Sequence, residues 1–245
     1  IKSRMQMTYN KVNDYLERGI VDPKYKDFTN ELSLMKELSD LVRKNKINRG
    51  FIDFDTDEIK IKVDKKGVPV EILKRERGTG ERLIEDFMIL ANESVASQLF
   101  YMDLPAVYRV HGDPSEKRLR SFVNVLNTLG IKINDNLSKI TPKTIQRIIN
   151  RLKNYPQFKV LSVMMLSCMD KAIYDTKNIG HFGIASKCYT HFTSPIRRYP
   201  DTTTHRLLKN YFFDKDGITD EKIDHFESVL PDICVHSSER ERASV

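Results

Sequence analysis

The sequence predicts a mixed α/β fold dominated by helices. Three observations support this. Segments 27–47 and 79–100 carry apolar residues at helical spacing. One segment, 50–72, alternates and holds a turn at Lys65–Gly67, which predicts a β-hairpin or small meander. The composition is 40% hydrophobic and 31% charged over 245 residues, enough to bury a sizeable core.

The elements follow in order. Residues 7–18 place a threonine before an amphipathic pattern and predict a short helix. In 27–47, Leu32, Met35, Leu38, Leu41 and Val42 form the expected apolar stripe. The hairpin comes next. A helix starting at Thr79 or Gly80 runs to about Phe100 with the stripe Ile84, Phe87, Met88, Ala91, Val95 and Leu99. "PAVYRVHGDP" predicts a short strand and a turn. Two helices follow, near 114–129 and 142–153. "PQFKVLSVMMLSCMDKAIYD" is apolar nearly all round and predicts a buried helix. "KNIGHFGIASKCYTHFTSP" is irregular. A helix then begins near Ser194–Pro195 and extends to about Phe213, and the last helix covers about 219–245.

The formal net charge is +7. A basic excess fits a polyanionic partner but also arises without one. No apolar run approaches the roughly 20 residues of a membrane span, and no signal peptide is visible. Cys168, Cys188 and Cys234 lie far apart without a C-x-x-C pair, which predicts buried thiols in a reducing, cytoplasmic setting. The chain starts at Ile1 and stops inside "HSSERERASV", a charged helical pattern without a breaker, and is expected to be a piece of a longer protein.

The stretch "THFTSPIRRYPDTTTHRLLKN" concentrates chemistry. Thr193 and Ser194 can cap a helix and Pro195 suits its first position, which would put Arg197 and Arg198 in the first turn. That turn has free N–H groups and a positive dipole end, so arginines there imply an anion: a carboxylate of the protein or a phosphate of a ligand. Asp201 and His205 share a face and can pair with each other or with an arginine. In 81–100, Glu85 and Asn92 are seven apart and share a face. Glu85 either serves a ligand or pairs internally with Arg75 or Arg77.

"HFGIASKCYTHFTSPIRRYPDTTTHRLL" resembles the signature of the ribonuclease II / ribonuclease R family of exoribonucleases. "RGFIDFD", "LIEDFMILANESVA", "YRVHGDPSEKRLRSF", "AIYDTKNIGHFGIA" and "SSERERA" fall in the family's order, so the resemblance spans nearly the whole chain. Arg-Arg-Tyr-Pro-Asp, rather than a Lys-Tyr-Gly variant, is closer to the ribonuclease R branch. The resemblance implies that residues 1–245 are the C-terminal portion of an RNB-type catalytic domain, without cold-shock or S1 RNA-binding barrels.

The resemblance also implies an activity: processive 3′→5′ hydrolysis of single-stranded RNA to nucleoside 5′-monophosphates. Arg197 would contact the scissile phosphate and stabilise the transition state. Arg198, Tyr199 and Asp201 would hold the loop and phosphate path, with His191 and Thr193 lining the approach. Glu85 and Tyr9 would read the ribose 2′-OH, Phe54 (or Phe51) would stack on the terminal base, and Glu239 would lie near the active site, with Asn92 beside the substrate path. The chemistry needs Mg²⁺, which the family holds with an aspartate cluster. No such run occurs here. Asp53, Asp55 and Asp57 read as solvated carboxylates, and the six histidines lack zinc-like spacing. The metal ligands are therefore expected upstream, in the missing first half of the domain, and the isolated chain is expected to be inactive. Two other readings stay open: an RNA-holding module that does not cut, and a helical structural domain.

Overall fold

The computed structural model describes residues 2–52, 58–75, 77–133 and 135–244. Helices dominate, as predicted, and two small antiparallel sheets accompany them. The chain divides into two compact units: Ile1–Asn45 with Phe54–Met88, and Lys46–Asp53 with Ile89–Val245. Each is described by itself.

In the first unit, α1 (Tyr9–Arg18) ends at Gly19, whose φ of 72° is the left-handed conformation that closes a helix. A 3₁₀ turn, Pro23–Phe28, opens on Asp22, whose side chain accepts from the Lys24 N–H. It leads into α2 (Thr29–Arg49). The stripe expected on α2 is only partly buried: Leu32 is inside, but Leu38 and Leu41 are exposed. Ser39 takes the inward position because it donates to the buried carboxylate of Asp86 at 3.0 Å. Strands β1 (Glu58–Val63) and β2 (Pro69–Arg75) form the predicted hairpin. Asp64 builds its turn by accepting from the Lys66 and Val68 N–H groups at 2.7 and 3.0 Å, and Gly67 takes φ 80°.

The helix α3 (Thr79–Tyr101) matches the expected bounds and contributes to both units. Its buried stripe is rotated from the predicted one. Leu83, Asp86, Asn92, Ala96 and Leu99 face inward, whereas Ile84 is exposed. Two buried polar residues, Asp86 and Asn92, occupy places that a purely apolar count assigns to neighbours.

In the second unit, β3 (Tyr108–Val110) pairs antiparallel with β4 (Ile173–Asp175). The sequence reading assigned β4 to a helix, because three residues are too few to show a period. Between them lie α4 (Glu116–Thr128), capped by Ser115; α5 (Pro142–Leu152), capped by Thr141; and α6 (Phe158–Cys168). The expectation that α6 is buried all round fails. Leu161, Met165 and Cys168 are buried, while Val160, Val163 and Leu166 on the other face are exposed. Then come α7 (Tyr199–Leu208), one π-helical turn (Lys209–Phe213) and α8 (Asp220–Ala243), capped by Thr219. The core of this unit joins Leu99 of α3, Val107 just before β3, Tyr108 of β3, Leu207 of α7, and Leu230 and Cys234 of α8. All three cysteines are free and buried. No helix of the described residues is long and apolar enough to cross a membrane.

Candidate functional site

The helix expected from Ser194 begins later, at Tyr199. Pro200 explains the shift. In a helix begun at Pro195, Pro200 would sit in the interior, lack its N–H bond and clash with the carbonyl four residues back. With Arg198 at the N-cap, Pro200 falls within the first turn, where a missing N–H costs nothing. Thr193 and Ser194 are therefore not the cap, and Arg197 and Arg198 precede the helix instead of forming its first turn. The Arg197 and Arg198 N–H groups both point back to the Ser194 carbonyl, at 3.3 and 3.1 Å, in a tight turn.

Asp201 organises that turn. It is fully buried, in the first turn of α7. Its carboxylate accepts from Arg198 Nε at 2.8 Å, Arg198 Nη2 at 2.7 Å and the Ser194 N–H at 2.7 Å. The helix dipole adds to this. Of the alternatives left open, the carboxylate's partner is Arg198. His205 instead bonds the Phe192 carbonyl at 2.9 Å and stacks on the Phe192 ring. Arg197 is exposed and has no carboxylate partner among the described residues.

A cavity of about 760 Å³ opens beside this turn. Arg197, Arg198 and Tyr199 line one side, and the α8 face carrying His236, Ser237 and Arg240 lines the other. The Ser237 hydroxyl is buried without a hydrogen-bond partner among the described residues, and a buried hydroxyl wants one. Tyr174 also lines the cavity, and Glu241 lies at its edge on α8. Glu241 is committed: Arg109 grips it in a bidentate pair at 2.6 and 3.0 Å. Arg109 also lies over the ring of Tyr174, its cross-strand partner, 4.6 Å from the centre. Arg197 and Arg240 are thus left as cations without a carboxylate partner among the described residues. The arrangement suits an anion with several oxygens, such as a phosphate.

Glu239, the α8 glutamate expected near the site, is exposed and not among the cavity's lining residues. The spacing explains why. Positions 233, 236–237, 240–241 and 244 share one helical face, and 239 points elsewhere. That same spacing was the available signal for His236, Ser237, Arg240 and Glu241, which the sequence reading missed. Arg109 carried no signal, because its role depends on β3 pairing with β4.

His191 and Thr193 do not line the cavity; they lie behind it. The Tyr174 hydroxyl and His191 Nδ1 are 2.8 Å apart. Burial, with Arg198 and Arg109 nearby, lowers the His191 pKa to about 3. Burial likewise raises Tyr174 to about 12. Rings continue from His191 to Tyr189, His181 and the stacked His111. His181 is also lowered to about 3, by burial first and then by His111. These imidazoles are neutral at physiological pH. Asn92 does not touch the cavity. It is buried, donates to the Tyr189 hydroxyl at 2.9 Å and accepts from the Phe192 and Thr193 N–H groups at 3.0 and 3.2 Å. It fixes the loop that leads to the arginines.

Two expected substrate contacts lie in the first unit. Tyr9, on α1, is 43% exposed and free to meet a ligand. Asn13, one turn along, donates to Glu81 at 2.8 Å and accepts from the Gly80 N–H at 2.6 Å. Gly78 is needed for this approach, since a Cβ there would fall 2.3 Å from Asn13 Nδ2. Glu85, one turn beyond Glu81, is half-buried, with Arg77 at 3.6 Å. The internal pairing considered for it therefore occurs, with Arg77. Phe54 lies outside the described residues, as do Asp53, Asp55 and Asp57. Phe51, the alternate aromatic, is covered by Lys46, 4.0 Å from the ring centre. Among the described residues no group of three or more His, Cys, Asp or Glu can hold a metal ion, so these residues do not fit a magnesium site.

Comparisons with known proteins place the chain in a family. The family model described as the RNB domain matches residues 1–214. Ribonuclease R of Thermotoga maritima is 41% identical over 245 residues, which is 100% of this chain and 34% of that protein. Ribonuclease R of Mycoplasmopsis pulmonis is 44% identical over 248 residues, 100% of this chain and 33% of that protein. The chain thus spans about a third of the length of these relatives. A solved structure, Mycoplasma genitalium RNase R in complex with ribose methylated single-stranded RNA, superposes with a TM-score of 0.89 at 35% identity, covering 95% of this chain and 36% of that one. The chain belongs to the RNB domain family.

Proposed function

We propose that this chain is the C-terminal portion of the catalytic domain of an exoribonuclease that shortens single-stranded RNA from its 3′ end by hydrolysis and releases nucleoside 5′-monophosphates. The observation that carries the reading is the division of labour in the Arg-Arg pair. Asp201 holds Arg198, and Arg197 is left exposed at a cavity that also contains Arg240. A guanidinium placed in this way meets the charge that grows on a phosphoryl group during displacement and needs no reorganisation to do so. Arg198 and Tyr199 shape the turn, and Asn92 and Asp201 position it. Glu85 and Tyr9 read the ribose. Family relatives with RNA bound support RNA as the ligand.

Hydrolysis of this class uses Mg²⁺ to activate water and neutralise the phosphate. The described residues do not supply that ion's ligands. As the family resemblance implies, the reading assigns them to protein outside these 245 residues, working in a chain of the relatives' length. The alternative reading is RNA held without cutting.

The test is to mix the chain with Mg²⁺ and a 5′-labelled single-stranded RNA bearing a free 3′-OH, following binding and length together. Binding without shortening is the expected result. Stepwise shortening would show a metal site within these residues. The two readings separate when the same assay is run on a protein of the relatives' length: shortening supports the exoribonuclease, and binding alone supports the holding module.

A further inference from the structure

A second cavity of the same unit, about 390 Å³, lies where the end of α3 meets β3 and α8. Its lining includes Phe100, Tyr108 and Phe226 together with the exposed acidic residues Asp103 and Glu227. Phe100 meets Tyr108 edge-on, with ring centres 6.4 Å apart. Neither carboxylate has an ion-pair partner among the described residues. Asp103 is held in the left-handed region, φ 52°, just past the end of α3, and the last turn of α3 carries no basic residue. The negative end of the helix dipole adds to the two carboxylates. Tyr108 is 96% buried, since only 4% of it is exposed. Its hydroxyl has no hydrogen-bond partner among the described residues although it lines the cavity. The hydroxyl oxygen opens onto the cavity, where it can give or accept a hydrogen bond.

We propose that this cavity binds a primary alkylammonium group. Such a group carries three N–H donors, and the cavity's lining residues carry acceptors that include two carboxylates and the phenol oxygen. Aromatic walls attract the cation through their faces and accept the alkyl stem by apolar contact. A hard divalent ion fits poorly, because it demands six or more oxygens and gains little from phenyl rings. Burial keeps the Tyr108 phenol protonated and neutral, with Asp103 and the Cys188 thiol adding to the effect. The same head group could come from a free polyamine or from the lysine side chain of a protein segment. The site is separate from the Arg197 cavity and does not depend on the ribonuclease reading.

Calorimetric titration of the 245-residue chain with butylammonium tests it, with spermidine and Nα-acetyl-lysinamide as the two source arms. We expect saturable one-to-one binding. Asp103→Asn combined with Glu227→Gln should weaken it at least tenfold, and asparagine tolerates the left-handed conformation at 103. Tyr108→Phe, which removes only the hydroxyl, should weaken it several-fold. Tighter binding of spermidine identifies a free polyamine as the ligand, and tighter binding of the lysine derivative identifies a protein segment. No saturable heat, no effect of the double variant in a chain with unchanged circular dichroism, or complete displacement by Mg²⁺ at matched ionic strength would each overturn the proposal.

Discussion

Asp201 and Arg198 form a bidentate pair, 2.8 and 2.7 Å, at the mouth of α7, and Arg197 takes no part in it. The acceptor is fully buried and the donor side chain is 26% exposed. Removing one partner of such a pair strands the other charge away from water. Asp201→Ala also orphans the Ser194 N–H. We expect a loss of about 3 kcal/mol in urea unfolding. A loss below about 1 kcal/mol, the range of a surface pair, would show that the turn does not rely on this carboxylate.

Arg197 is the opposite case. It is exposed and unpaired among the described residues, so Arg197→Ala should leave stability nearly unchanged. In a protein of the relatives' length, turnover should fall by about 10²–10³, the effect of deleting one preorganised charge-stabilising donor, while RNA affinity stays close to its starting value. Single-turnover cleavage alongside a binding titration reads both. A matching fall in affinity would make Arg197 a binding residue and not a transition-state one.

The two arginines were legible in the sequence as a pair that expects an anion, but not as two different residues. The distinction rests on Pro200, which moves the start of the helix by several positions and turns Asp201 toward Arg198. A local pattern of caps cannot weigh a proline further along. The α8 face was legible in principle, since Ser237, Arg240, Glu241 and Ser244 follow helical spacing. The grip of Arg109 on Glu241 was not, because it joins residues 132 apart through the β3–β4 pairing. The long helices and the hairpin were clear because their periods repeat. Three-residue strands and the rotation of a stripe around buried Asp86 and Asn92 depend on tertiary partners.

That contrast makes a paired test within "SSERERA". Glu239→Ala should leave cleavage and stability unchanged, since its side chain is exposed and away from the cavity. Glu241→Ala should free Arg109 and alter cleavage in a protein of the relatives' length. It should also lower stability by about 1–3 kcal/mol through loss of a charged hydrogen-bonded pair. Steady-state cleavage and urea unfolding of both variants give the comparison. Equal effects at 239 and 241 would mean that the α8 face is wrongly assigned.

Glu85 offers a test of sugar discrimination. It is half-buried, with Arg77 3.6 Å away, so its carboxylate is oriented and still reachable. A carboxylate accepting from a 2′-OH favours ribose over deoxyribose. In a protein of the relatives' length, Glu85→Ala should reduce the preference for a ribose-ended strand over its deoxy counterpart by about tenfold, one hydrogen bond to a charged group. Glu85→Gln, which keeps an acceptor oxygen, should keep more of it. Competition between the two strands measures the ratio, and an unchanged ratio in Glu85→Ala would assign this residue to the Arg77 pair alone.

His191 and His181 set an acid limit on the fold. Burial holds both near 3, against an ordinary value of 6.5. Their surroundings reinforce this: Arg109, Arg197 and Arg198 face His191, while His111 and Arg109 face His181. Below the ordinary value the unfolded chain takes up protons that the folded chain refuses. Their contribution is therefore fully present above about pH 6.5 and is lost progressively as the pH falls toward 3. Each should add a slope of up to about 1.4 kcal/mol per pH unit in that window. Urea unfolding between pH 7 and 5, above the range where most carboxylates titrate, should show stability falling with pH. Burial lowers the stacked His111 as well, so His191→Gln removes one of several contributing groups and should make the fall shallower by up to half. A stability that stays level from pH 7 to 5, or a slope unchanged in His191→Gln, would mean that these imidazoles reach water and take protons in the folded state.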